Sequence, residues 1–388
     1  MHLSYRWRND NNPILTRLRT AIDTRDGAVF PAVSSRLGGT SVSYAGLAEG
    51  LAYTLEFTEL RREVQDGQSA ERTTTEITGK ALRCPKRLPD ADITIVGTSA
   101  VRARRLPTSA SLIMPMRVHF VIDTDGDPDS VRQTISKRER WQFNRDMRHH
   151  DWTWTVEHDP AWFDFFYDHL YRPTMRMRHG ARERTEAKNV AYECLFRTGR
   201  MFSLSQDGER IGGALCHWDG ASHIMTLRLL GVLGGSEEHY NSGAFKAIYH
   251  FLVKWSAEND VRQLDFQGTE PFLSKGTYQW KRRFGTRVLL PPNHFGKKRL
   301  WLHVGQDTPK VRDFLVANPM LAEAEDTTLE AIYFHDSSRP ARLDYSAKSP
   351  GVERVRQIHL DTFLAVGPGD ASTASRFRRP LNNSWSMP

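Results

Sequence analysis

Residues 201–288 read MFSLSQDGERIGGALCHWDGASHIMTLRLLGVLGGSEEHYNSGAFKAIYHFLVKWSAENDVRQLDFQGTEPFLSKGTYQWKRRFGTRV, and this stretch decides the fold. Met201 to Gln206, Ile211 to Trp218 and Ser222 to Val232 alternate apolar and polar residues, and Asp207-Gly208 and Asp219-Gly220 separate them. Asp-Gly between alternating runs marks a hairpin, because both central residues of a type I′ turn need positive φ. The pattern predicts a three-stranded antiparallel meander. Ala244, Ala247, Ile248, Phe251, Leu252 and Trp255 then recur at helical spacing as one apolar stripe. Val261 to Gln267 predicts one more strand, so the order is β, β, β, loop, α, β.

The loop before the helix carries Gly234-Gly235-Ser236 and then Asn241-Ser242-Gly243-Ala244. A helix N-terminus after a glycine-containing loop offers free backbone N–H groups and the positive dipole end to an anion. Asn241, Ser242, Gly243 and Ala244 are therefore the candidate seat for an anionic donor; simple capping by Asn241 and Ser242 accounts for the same residues. After the last strand comes DFQGTEPFLSKGTYQWKRRFG, Asp265 to Gly285.

At these residues the chain resembles the FemAB-like branch of the GNAT acyltransferase superfamily. It matches that branch's string D-F-x-G-x-x-P-F-x-x-x-G-x-x-x-[FW]-K-x-x-[FW]-G, and the resemblance runs over roughly Ser130 to Val288, with a fainter extension toward Asp90. The ordinary GNAT pyrophosphate loop, Q/R-x-x-G-x-G/A, is absent. The resemblance implies an α/β (α+β) fold: a GNAT-like mixed sheet flanked by helices, in two tandem copies of which the first, opening at DADITIVGTSA, is degenerate. It also implies acyl-CoA or aminoacyl-tRNA as donor, and a cationic role for Lys281 near the transferred carbonyl or the tRNA end.

A chain of 388 residues is long for one core and predicts two domains. The expected units are an N-terminal, GNAT-like domain at 1–128, a transferase domain at 129–300, an extension at 301–364 and a mobile tail at 365–388. A net charge of +8 points to an anionic partner: a nucleotide phosphate such as that of CoA, a tRNA, or an acidic lipid surface. Three scattered cysteines without C-x-x-C spacing, and an N-terminus without an apolar secretory segment, predict a reducing, cytoplasmic setting with no metal site. No apolar run is long enough for a membrane span.

Ser111 to Ile122 reads as a strand in which Pro115 marks an edge position or a bulge, and Ser130 to His149 as a basic helix. An aromatic helix follows Asp159-Pro160 and ends at Pro173. No G-x-S-x-G, H-E-x-x-H or Walker string occurs, so a covalent or metal mechanism has no sequence support. The candidate catalytic residues are Asp265, at a strand end, and Lys281. Arg176 and Arg178 are candidate acceptor ligands, because arginine forks pair with carboxylate and phosphate; Gly268, Lys275 and Gly276 complete that set, the glycines allowing close backbone approach. Three functions fit: acyl transfer from acyl-CoA to an amine or hydroxyl, aminoacyl transfer from tRNA, and anion or nucleic-acid binding without catalysis.

Overall fold

The computed structural model describes residues 3–67, 69–180 and 185–365. The expected tail therefore lies outside the described residues, as do positions 181–184 of the arginine-rich segment. The chain opens with helices Leu3–Asn9 and Pro13–Asp23, the second capped by the Asn12 side chain. The first strands are β1 (Val29–Leu37), β2 (Thr40–Gly46), β3 (Glu71–Thr78), β4 (Ile93–Ser99) and β5 (Ser111–Pro115). The second set is β6 (Val118–Asp123), β7 (Trp152–Glu157), β8 (Arg200–Gln206), β9 (Glu209–Asp219), β10 (Ile224–Val232), β11 (Gln263–Thr269) and β12 (Arg287–Leu289). Last come β13 (Lys298–Val304), β14 (Met320–Glu323), β15 (Leu329–His335) and β16 (Val352–His359).

These strands form three sheets, in the orders β3-β1-β2-β4-β13-β5, β12-β6-β11-β10-β9-β8-β7 and β14-β15-β16. The fold is thus α/β, built on mixed sheets flanked by helices. The two larger sheets repeat one pattern. In each, an antiparallel hairpin (β1-β2, β9-β10) is followed by a helix and a strand parallel to the hairpin's second member (β4, β11). Beyond that strand lie two antiparallel neighbours, and the inner one comes from the other half of the chain. β6 enters the sheet of residues 152–289, and β13 returns to the sheet of residues 29–115. The ranges 1–128 and 129–300 therefore do not close as separate sheets, since the chain exchanges one strand in each direction.

The meander forms as β8, β9 and β10. Its first turn has the expected left-handed pair, Asp207 at φ 52° and Gly208 at φ 82°. The second differs: Ile224 pairs with Asp219 across a four-residue loop, with His223 at φ 56° and the Asp219 carboxylate accepting from Ala221 N and Ser222 Oγ. The side chain, rather than an Asp-Gly turn, closes this hairpin. The helix Ala244–Glu258 packs its stripe on the second sheet, where Phe251 stacks on Trp154 and Trp255 meets Phe202 edge-on.

Three expectations change in detail. Ser111 to Ile122 is two strands, because the chain turns at Pro115–Arg117 to pass from one sheet to the other. The basic helix is two helices, Pro128–Thr134 and Lys137–His149, with Ser136 capping the second. Pro173 does not stop the aromatic helix: Phe166–Tyr171 is a π-helical turn, and its wider path carries the chain through the proline into Arg172–His179. Among the described residues, no helix is long and apolar enough to cross a membrane.

The exchange ties the two large sheets into one cooperative unit. Phe120 on β6 is fully buried against Tyr278, so Phe120→Ala should cost about 3–5 kcal/mol. Urea unfolding followed by tryptophan fluorescence and by far-UV circular dichroism should show one coincident transition that shifts as a whole. Two separable transitions, only one of which moves, would contradict that coupling.

Candidate functional site

The second sheet opens at its centre. β10 and β11 pair in parallel only from Ile224–Gln263 to Thr226–Asp265, and then part. Both strands are irregular at that point: β10 bulges between Leu227 and Leu229 against β9, and β11 slips between Asp265 and Gly268 against β6. Bulges leave backbone groups unpaired and re-aim side chains. On β10 the extra residue is Arg228. On β11, Gln267 takes φ 59°, a conformation that side chains rarely adopt.

On β11 the displaced carbonyls and the Gln267 N–H have partners, while the Gln267 side-chain nitrogen is buried without one. Lys281 Nζ donates to the carbonyls of Phe266, at 2.7 Å, and Gln267, at 3.2 Å, and lies over the Phe120 ring. Asp265 Oδ1 accepts from Gln267 N at 2.7 Å. Gly268 lets β6 approach: a Cβ there would stand 2.4 Å from Val118 O and 2.8 Å from His119 Cδ2. That approach brings His119 to Asp265, with Nδ1 and Oδ2 2.7 Å apart. The carboxylate can only accept, so Nδ1 carries the proton and Nε2 keeps the lone pair in the neutral ring.

His119 and Asp265 line a cavity of about 560 Å³. The sheet contributes His217, Asp219, Thr226 and Arg228; Tyr5 and Asn9 to Asn12 face them from the N-terminal segment, and Pro292 and Asn293 close one side. Arg228 Nη1 donates to Asn9 Oδ1 at 2.8 Å and its guanidinium lies over Tyr5, while its Nε is buried without a partner. No carboxylate pairs with Arg228 among the described residues. Burial, helped by Arg228, holds the His217 ring below its ordinary value, so it stays neutral at pH 7.

The sequence-derived residues separate into groups. Asp265, Gly268 and Lys281 form one assembly, although Lys281 supports the bulge and does not line the cavity. Lys275 pairs with Glu270, whose carboxyl burial would raise; Lys275, Arg117 and the Thr269 hydroxyl overcome this and leave it below its usual range. Gly276 begins the short helix Gly276–Lys281 with open space where a side chain would go. Arg178 stacks on Tyr240 and Phe245, and Arg176 is exposed on the same helix. Neither arginine lines the cavity.

At Asn241–Ala244 the helix cap is Gly243, at φ 93°, with Ala244 N donating to Ser242 Oγ at 3.4 Å. Asp146 stands close by, since a Cβ on Gly243 would be 2.6 Å from its Oδ2, and Gln142 and Arg145 hold that carboxylate. The positive end of this helix already faces an anion of the protein itself. A separate cluster, Asp23, Glu49 and His294, has metal-ligand composition. The cation between its carboxylates is the buried Lys298 ammonium, 2.7 Å from Asp23 and 3.2 Å from Glu49; burial and that ammonium push His294 down to about 2.

His119, His217 and Arg228 escaped the sequence reading. For His119 the signal was present in VHFVID, where alternation places one histidine opposite the apolar face. Arg228 had no such signal, because the bulge that re-aims it is invisible in a simple alternation.

The sequence matches no protein-family model and no curated protein. Among solved structures the chain is similar to L-PGS from Bacillus licheniformis, at 10% identity over 79% of this chain and 96% of that one, TM-score 0.35. It is also similar to FemX, at 11% identity over 72% and 86%, TM-score 0.38. A GCN5-related N-acetyltransferase from Sphaerobacter thermophilus shows 13% identity over 71% and 76%, TM-score 0.31.

Burial pushes Lys281 down to about 7, with Asp265 opposing and Arg117 adding to the shift. The unfolded value is about 10.4, so between these limits the unfolded chain binds more protons and stability rises with pH. Lys281→Met removes that contribution. Urea titrations should therefore show the wild-type protein gaining stability relative to the variant from pH 7 to pH 10. Parallel curves would mean that Lys281 stays charged in the folded state.

Proposed function

We propose that the protein transfers an acyl group from an activated ester or thioester to an amine, with His119 accepting the proton. The observation that carries this reading is the His119–Asp265 pair at 2.7 Å on the wall of the cavity. Asp265 orients the ring and stabilises the imidazolium that forms, and Nε2 takes the proton as the amine nitrogen bonds to the carbonyl carbon. The tetrahedral intermediate then expels the donor's oxygen or sulfur, which receives a proton. No side-chain nucleophile is needed: Cys216 is fully buried, and burial pushes its thiol far up. Lys281 acts here as a positioning residue, because its ammonium is committed to the carbonyls that shape the Asp265 turn.

Two donors meet this chemistry. Acyl-CoA needs a place for its pyrophosphate, and the Asn241–Ala244 position has Asp146 beside it. An aminoacyl-tRNA spreads its phosphates over a wider surface. The helix Lys137–His149 offers such a surface, with Lys137, Arg138, Arg145 and Arg148 exposed around Trp141, while its acids Glu139 and Asp146 are buried. That arrangement favours aminoacyl-tRNA, and acyl-CoA stands as the alternative.

Mass spectrometry of the freshly purified protein for copurifying charged tRNA or acyl-CoA separates the donors. With the donor in hand, His119→Ala should lower the single-turnover rate by about 100- to 10,000-fold, and Asp265→Asn should lower it too while the protein stays folded. A His119→Ala variant that transfers at the wild-type rate would sink this mechanism.

A further inference from the structure

We infer that the acceptor is a zwitterion, an amine that carries an anionic oxygen group in the same molecule, and that Arg228 receives that group. This rests on the acyl-transfer reading for the name "acceptor", and on the cavity alone for the chemistry. The cavity has two poles. At one end His119 and Asp265 form the pair that takes a proton from an amine. Arg228 follows Thr226 by two residues on β10, and Thr226 sits opposite Asp265 in the parallel register. Arg228, His119 and Asp265 all line this one cavity, so one small molecule inside it can meet both groups.

Arg228 is built to receive an anion. The β10 bulge supplies it as the extra residue, its Nε is buried without a partner among the described residues, and its Nη1 donates to the neutral amide of Asn9. The guanidinium is half-buried, no carboxylate pairs with it among the described residues, and an oxygen anion bound through its planar fork would supply the missing partner. His217 beside it is neutral, so it adds no second positive charge. Asp10 and Asp219 also line the cavity; Asp10 accepts from Asn12 N, Asp219 accepts from Ala221 N and Ser222 Oγ, and neither forms an ion pair with Arg228. A carboxylate is the group that fits; a phosphate shares the chemistry.

Calorimetry on the full chain tests this without any donor. The probes are glycine, L-lysine and L-alanyl-L-alanine, each against its methyl ester, and O-phosphoethanolamine against ethanolamine. At least one free acid should bind, and its ester or parent amine should bind about 10- to 100-fold more weakly, the range of one charge-assisted hydrogen-bond pair. Arg228→Gln should erase that difference, Arg228→Lys should restore part of it, and Asn9→Ala should leave it in place. Preference for O-phosphoethanolamine over the amino acids would support the inference with phosphate as the group. Equal binding of acids and esters, a difference that persists in Arg228→Gln, or binding of none of the probes overturns it. The two readings fail separately: discrimination in binding with no transfer removes the acyl-transfer function, whereas transfer to neutral amines that ignores Arg228→Gln removes only the zwitterion.

Discussion

Two carbonyl groups that have left their sheet, those of Phe266 and Gln267, are the constraint on which the site depends. A strand that parts from its neighbour exposes backbone polar groups, and buried groups of this kind cost free energy unless they are paired. Lys281 pairs both, at 2.7 and 3.2 Å. With the bulge held, Gln267 N turns to Asp265, Gly268 admits β6, and His119 reaches the carboxylate. The lysine is thus upstream of the histidine–aspartate pair, although it does not face the cavity. Its depressed proton affinity follows from the same position, since an ammonium away from water loses more hydration than the carbonyls and the opposing Asp265 charge return.

The exchange of strands between the sheets explains where the cavity lies. β6 and β13 cross in opposite directions, and the segments that lead into them bring Pro292 and Asn293 to one edge of the site and His119 to its floor. The N-terminal helices cover the remaining side, held by the Asn9–Arg228 hydrogen bond. Buried ion pairs such as Lys298 with Asp23 and Glu49 sit in this same seam. Breaking one partner there would strand a buried charge, so these clusters lock the arrangement of the elements more than they add to its net stability.

Much of the fold was legible because it is written in local periods. The alternation of Met201–Val232 and the stripe of Ala244–Trp255 each describe one element against one neighbour, and both elements are present. The Asp-Gly at 207–208 is a left-handed turn; the Asp-Gly at 219–220 is not, because a side-chain cap does the same work. Of the site, Asp265, Gly268 and Lys281 were legible as a motif, but not the atoms that each of them meets. A motif gives spacing along the chain, whereas the role of Lys281 is set by which atoms its ammonium meets. The pairing of His119 with Asp265 was out of reach for another reason: 146 residues separate them, and the strand exchange that joins them leaves no local signature.

That separation has a consequence for how the site comes into being. A contact between residues so far apart closes a long loop, and the entropy of closure must be met before the contact stabilises anything. Neither half of the chain can hold the pair alone, since β6 precedes residue 128 and β11 follows residue 262. His119 and Asp265 meet only when the exchanged strand is seated between β11 and β12. The geometry of the pair is therefore tied to the completed topology. Damage to the first sheet, whose strands lie outside the cavity wall, reaches the site through β6, because displacing that strand removes His119 from Asp265 and leaves the carboxylate buried without its partner.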